Sequence, residues 1–245
     1  MCDRRTALTH NRPEPRNRLL AALPPRDLCR LRPHLEPAAL FRGEVLLDAG
    51  ETLPRAYFIE AGVVALVTLF ENGTSAVSAI VGREGLVGIG VLLGNDAALG
   101  RHLVQVPGSA LTMEVSRFRG ALRASPSLRT VCQAYARGFL GQVLQTIACH
   151  NAHTLEEKCA RSLLVIHDRS NGDTLALRQE FLAEMLGVPR STAAAVTRTL
   201  QKAGLIGYCQ GDIRVLDRAG LEAVACECYA IDRERYGRLL PGAFA

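Results

Sequence analysis

The chain has 245 residues, 48% of them apolar and 22% charged, with a formal net charge of +5. That length suits two modest domains with separate cores, and the composition is ordinary for a soluble globular protein. The first twenty residues carry several arginines but no apolar segment of a secretory signal. The most hydrophobic stretch, residues 80–93, is broken by Arg83, Glu84 and four glycines, too short and interrupted to cross a bilayer. A cytoplasmic location is expected. The positive charge permits nucleic-acid binding without demanding it, since much of the arginine excess lies in the N-terminal third.

Residues 1–23, rich in Arg, Pro and Asn, are expected to form a flexible arm. Asn17 to Leu31 reads as one short helix carrying Leu19, Leu20, Leu23 and Leu28. From Phe41 to Val115 short apolar runs alternate with glycine turns. Val63 to Phe70 is β-branched and apolar, and Asn72-Gly73 after it is a strong hairpin signal. This pattern predicts a small antiparallel barrel or roll over residues 24–126.

Helical periodicity sets in at Ser127. Leu128, Cys132, Tyr135, Phe139, Val143 and Ile147 recur at spacings of three and four. A second copy of the same helix, residues 127–153, is expected to cover that stripe in a symmetric homodimer. A further helix is expected from Thr154 to Asp168, opened by a capping box between Thr154 and Glu157.

The last domain, residues 154–245 with a C-terminal tail, carries the functional pattern. RQEFLAEMLG (178–187) reads as a short helix with Phe181, Leu182, Met185 and Leu186 inward, closed by a turn at Gly187. A second helix runs from Arg190 to Gly204. At about 100° per residue, Ala193, Val196 and Leu200 gather on one side of it. Ser191, Ala194, Ala195 and Arg198 gather on the other. Small side chains with a few donors suit close approach to a major groove, and Arg190 stands at the end where recognition helices touch bases. LIGYC and DIRVL, joined around Gln210-Gly211, predict a β-hairpin wing. Two helices, a turn glycine and a hairpin make a winged helix-turn-helix.

Along nearly its whole length the sequence resembles the CRP/FNR family of transcription regulators. The match lies in GEVLLDAGE, YFIEAGVVAL and RQEFLAEMLGVPRSTAAAVTRTLQKAGLI. The resemblance implies an α+β chain with a cyclic-nucleotide-binding-like β-roll, a long dimerisation helix and a winged helix-turn-helix that recognises a two-fold symmetric operator. It also implies RNA polymerase as a partner. It places Arg178, Gln179, Arg190, Ser191, Thr192, Ala194, Ala195 and Arg198 at the DNA, with Arg190 where a guanine-reading arginine is common. Ser191 stands where several members have glutamate, and Ala195 where some have a second arginine, so a different half-site is implied. Arg178 replaces the usual capping threonine and could meet a phosphate instead.

The effector region of the resemblance falls on Gly88, Ile89, Gly100, Arg101 and His102. Ile89 replaces the glutamate that holds a ribose, and His102 follows Arg101 where Ser or Thr would help hold a cyclic phosphate. Cyclic AMP is not expected; a different ligand, or none, is left open. Only Cys2 and Cys29 stand at the N-terminal end, too few for an iron–sulfur cluster, and His102 alone is a weak haem ligand. No cofactor is expected. Cys149, His150 and His153, with Cys226 and Cys228, are possible metal or redox groups. A Cys-x-Cys pair on a helix, however, points its thiols about 200° apart, so packing is expected there and no metal site. No catalytic motif is present and the chain is read as a regulator, not an enzyme, controlled by an unidentified small effector or redox signal or active constitutively. The rival reading is a ligand-sensing dimeric module that acts on a protein partner without DNA.

Overall fold

The computed structural model describes residues 14–209 and 212–240. Most of the expected arm, and the Gln210-Gly211 turn, lie outside them. Within them, α1 (Arg18–Ala21) and α2 (Pro25–Leu31) replace the single expected helix. Pro24 and Pro25 explain the break, because proline lacks an N–H and disfavours helix in the residue before it. Residues 17–23 are also not a free arm. Asn17, Leu19 and Leu20 are fully buried. The Asn17 side chain accepts from the N–H groups of Leu19 and Leu20 and donates to the carbonyls of Ile59 and Gly85, pinning α1 to the roll.

The roll comprises β1 (Glu36–Leu40), β2 (Val45–Leu47), β3 (Arg55–Leu69), β4 (Ser75–Val81), β5 (Leu86–Val87), the short α3 (Ile89–Leu92) and β6 (Arg101–Glu114). Its strands form one antiparallel sheet in the order β1-β6-β3-β4, with β2 on β6 and β5 on β3. The expected hairpin at Asn72-Gly73 joins β3 to β4, and Gly73 takes φ +80°, where other residues are strained.

The apolar run Val63–Val67 is buried throughout because β3 serves two cores. Side chains alternate across a strand. Val64 and Leu66 enter the core of the roll, whereas Val63, Ala65 and Val67 enter that of the C-terminal domain. The roll therefore packs on the C-terminal domain through one face of its own sheet.

Helices α4 (Val115–Ala124) and α5 (Pro126–Ala152) follow. Leu128, Cys132, Tyr135 and Phe139 on α5 are buried in the core of the roll, and the Tyr135 hydroxyl donates to the Leu86 carbonyl at 3.1 Å. The stripe expected to meet a partner is thus largely consumed inside the subunit. Its periodicity was correctly helical, but periodicity cannot say which surface will cover a face. The apolar side chains left open on α5 are Leu140, Leu144 and Ile147, each 58–60% exposed.

Beyond α5 lie α6 (Leu155–His167), β7 (Thr174–Leu175), α7 (Gln179–Leu186), α8 (Arg190–Lys202), β8 (Ile206–Cys209), β9 (Asp212–Val215), α9 (Arg218–Val224) and α10 (Cys228–Leu239). Thr154 and Glu157 form the capping box at the start of α6. The segment expected as a tail is helix α10 up to Leu239, laid along α5. Gly138 and Gly141 allow this approach: a Cβ would stand 2.8 Å from the Tyr236 ring and 2.5 Å from the Arg235 side chain respectively. Arg161 of α6 donates to Asp232 of α10 at 2.9 Å in a pair that is about nine-tenths buried. The Cys-x-Cys argument from helical angles also fails, because Cys226 precedes the first turn of α10 and only Cys228 is helical.

Candidate nucleic-acid interface

The helix-turn-helix is built from its interior outward. Phe181, Leu182, Ala183 and Leu186 of α7 and Ala193, Thr197 and Leu200 of α8 are buried. Gly187 ends α7 at φ +65°, ψ +35°, the left-handed conformation that the sequence anticipates for the turn. Pro189 then caps α8, whose first turn loses no hydrogen bond through the missing proline N–H.

The outer face of α8 is open. Arg190, Ser191, Ala195 and Arg198 are exposed, while Thr192 and Ala194 are half-buried at its edges. Arg178 caps α7 without a side-chain bond and is exposed. Arg190 is not free: its guanidinium meets Glu180 of α7 at 2.6 Å. Gln179 is also engaged, donating to the Tyr208 hydroxyl at 3.1 Å, which in turn donates to Thr197 Oγ1 at 3.0 Å.

This Gln179–Tyr208–Thr197 chain links both helices of the motif to the wing, so the spacing between them is held by hydrogen bonds as well as apolar packing. Thr197 and Tyr208 were not anticipated as site residues. The helical projection did place Thr197 close to the packed side, but the need of its buried hydroxyl for a partner points to no particular one.

The wing is a three-stranded sheet in the order β7-β9-β8. Ile206 pairs with Val215 and Cys209 with Asp212 across the hairpin. Arg214 on β9 and Lys202 at the end of α8 are exposed, as are Arg178 and Arg198.

The roll grips this domain at several points. Ser75 Oγ donates to Glu184 of α7 at 3.0 Å. Arg42 donates to the Ala176 carbonyl at 3.0 Å and stands 3.8 Å from Asp212 of the wing. Glu84 and Arg83, in the β4–β5 turn, reach Arg169 and the Asp168 carbonyl after α6.

The five residues of the effector region lie at the start of α3 and at the start of β6. Gly88 and Ile89 begin α3, with Ile89 buried. Arg101 turns to Asp48, donating at 3.1 and 2.6 Å, and its guanidinium holds the Asp48 carboxyl below the usual range. A phosphate at Arg101 would have to displace Asp48. His102 is buried, and burial pushes its pKa down to about 4, so the ring is neutral. Gly100, beside Arg101, packs against Leu66.

A β-roll coupled through a long helix to a winged helix-turn-helix defines a DNA-binding transcription regulator. Residues 157–224 match the family model of the Crp-like helix-turn-helix domain. FixK2 from Bradyrhizobium japonicum has a similar structure, with a TM-score of 0.68 at 16% identity, over 78% of this chain and 98% of that one. TTHB099, a CRP-family transcriptional regulator from Thermus thermophilus, gives 0.64 at 22% identity over 78% and 96%. The c-di-GMP-responsive global regulator CLP of Xanthomonas campestris gives 0.58 at 16% identity over 78% and 98%. No curated protein matches the chain by sequence. Residues 157–224 thus form a Crp-like helix-turn-helix domain, and the chain as a whole shares the fold of these regulators. No helix among the described residues is long and apolar enough to cross a membrane.

Proposed function

We propose that the protein binds a two-fold symmetric operator as a homodimer in the cytoplasm, placing the outer face of α8 in a major groove at each half-site. The observation that carries this reading is the division of α8: Ala193, Thr197 and Leu200 anchor it while Arg190, Ser191, Ala195 and Arg198 face outward. Arg190 reads a guanine once it leaves Glu180, and Ser191, Thr192 and Ala194 lie along the base edges. Arg178, Gln179 and Arg198 meet the backbone. A regulator of this kind acts on RNA polymerase, not as an enzyme.

Dimerisation falls to the face of α5 that the roll and α10 leave uncovered. Gln133, Arg137, Leu140, Leu144, Ile147 and Asn151 are all exposed. Their spacing alternates four and three, the seam of a two-stranded coiled coil with an apolar centre and polar ends. Two copies joined there along a two-fold axis present two α8 helices to one duplex.

Selection of bound duplexes from a random library tests the reading. The expected product is an inverted repeat whose binding weakens steeply with salt, as phosphate contacts require. A protein that binds no duplex even at low salt belongs instead to the rival class that acts on a protein partner.

A further inference from the structure

Four side chains from distant parts of the chain converge where α5 ends and α10 begins. Cys149 is in the last turn of α5 and His153 caps that helix. Cys226 lies in the connection after α9, and Cys228 opens α10. One potential ligand atom from each lies within 4.8 Å of every other. The sulfurs of Cys149 and Cys226 are 3.5 Å apart, and Cys228 Sγ is 3.7 Å from His153 Nδ1.

The two shorter separations match the edges of a tetrahedral site, and the others lie within 4.8 Å. Zinc–sulfur bonds of about 2.3 Å and zinc–nitrogen bonds of about 2.0 Å place neighbouring ligand atoms about 3.5–3.8 Å apart. We propose that Cys149, His153, Cys226 and Cys228 form a closed Cys3His site for a zinc-class divalent ion, which fastens α10 to the end of the long helix.

The surroundings support a ligand set over ordinary thiol packing. Cys132 and Cys159 are buried among the aliphatic side chains of the two large cores, whereas Cys149, Cys226 and Cys228 form a buried cluster of their own. His153 turns Nδ1 toward the thiols while its Nε2 meets Glu227 at 3.1 Å, the carboxylate–histidine pairing that orients a metal-bound imidazole. Gln145 donates to Cys228 Sγ at 3.1 Å, as N–H groups do to metal-bound thiolates. Four protein ligands leave no open position, so the site is structural. Binding takes the three sulfurs as thiolates and releases their protons to solvent. His150 is not a member; its ring lies near Gly187, at the helix-turn-helix turn.

The experiment is metal analysis of full-length, untagged protein purified without chelator, followed by exchange with cobalt(II) under reducing conditions. One zinc per chain is expected. The cobalt form should show the visible ligand-field bands of a tetrahedral centre and an ultraviolet sulfur-to-cobalt band. Cys228→Ser should lose both features, and Cys132→Ser should keep them. Because a ligand variant can misfold, the decisive sample is the unaltered chain. If after reduction it takes up neither zinc nor cobalt, the assignment is overturned. A Cys149–Cys226 disulfide in freshly isolated protein, found by peptide mapping, overturns it as well.

Discussion

Glu84 and Arg169 form an ion pair at 2.8 Å with side chains only 1% and 2% exposed. Glu84 sits in the β4–β5 turn of the roll and Arg169 follows α6, so the pair bridges the two domains. Glu84 Oε1 also accepts from the Gly82 N–H at 3.1 Å, and Arg169 donates to the Val165 carbonyl at 2.8 Å. Gly82 is required where the two meet, since a Cβ would stand 2.6 Å from the Arg169 side chain.

Removing one member strands the other charge in the interior, which costs about 3–5 kcal/mol. Arg169→Met should therefore lower the urea midpoint sharply, and Glu84→Leu combined with Arg169→Met should recover much of the loss. An unchanged midpoint in the single variant would show that the bridge is not formed in solution.

If Arg190 contacts DNA as proposed, Glu180 competes with the duplex for it. The pair is exposed, so breaking it costs little stability, but it holds the guanidinium away from a base. Glu180→Gln should tighten operator binding by about 2- to 5-fold, a gain below about 1 kcal/mol. Arg190→Ala should cost about 1–3 kcal/mol of discrimination at one base pair in each half-site. Equal losses on operator and random duplex would remove base reading from Arg190.

Leu144 lies at the centre of the open face of α5 and is 60% exposed. Leu144→Glu should give a folded monomer in sedimentation, with far-ultraviolet circular dichroism unchanged, because like charges would face one another across the seam. Leu128→Ala, by contrast, should lower stability, since Leu128 is fully buried in the subunit. A dimer that survives Leu144→Glu would place the interface elsewhere.

His102 makes stability depend on pH. Its folded pKa is near 4, against an ordinary value of 6.5. Below pH 6.5 the unfolded chain takes up a proton that the native ring refuses, so stability falls as the pH drops toward 4. The contribution of this one group is about 2 kcal/mol by pH 5. Urea unfolding at pH 7.5 and pH 5 should show that difference in the parent and not in His102→Phe. The same slope in both would assign the acid sensitivity to other groups.

Local rules were enough to read the helix-turn-helix. Gly187 needs the left-handed region, Thr154 and Glu157 can only serve a helix start, and the two sides of α8 separate at 100° per residue. The β3–β4 hairpin was equally plain from Asn72-Gly73. The break at Pro24-Pro25 was also readable, by the restrictions that proline imposes on itself and its neighbour, although the spacing of Leu19, Leu20, Leu23 and Leu28 suggested a continuous helix.

The sequence alone determined which segments are amphipathic, where they turn and which side of α8 stays exposed, because those properties depend on neighbours within a few residues. Tertiary structure decided the rest. It chose which side of α5 is covered by the roll and α10 and which is left exposed, and it engaged Arg101 with Asp48 and Arg190 with Glu180. It also brought Cys149 and His153 beside Cys226 and Cys228 across more than seventy residues of chain. No periodicity encodes such meetings. They arise when whole elements pack, and only the packing sets the distance between atoms remote in sequence.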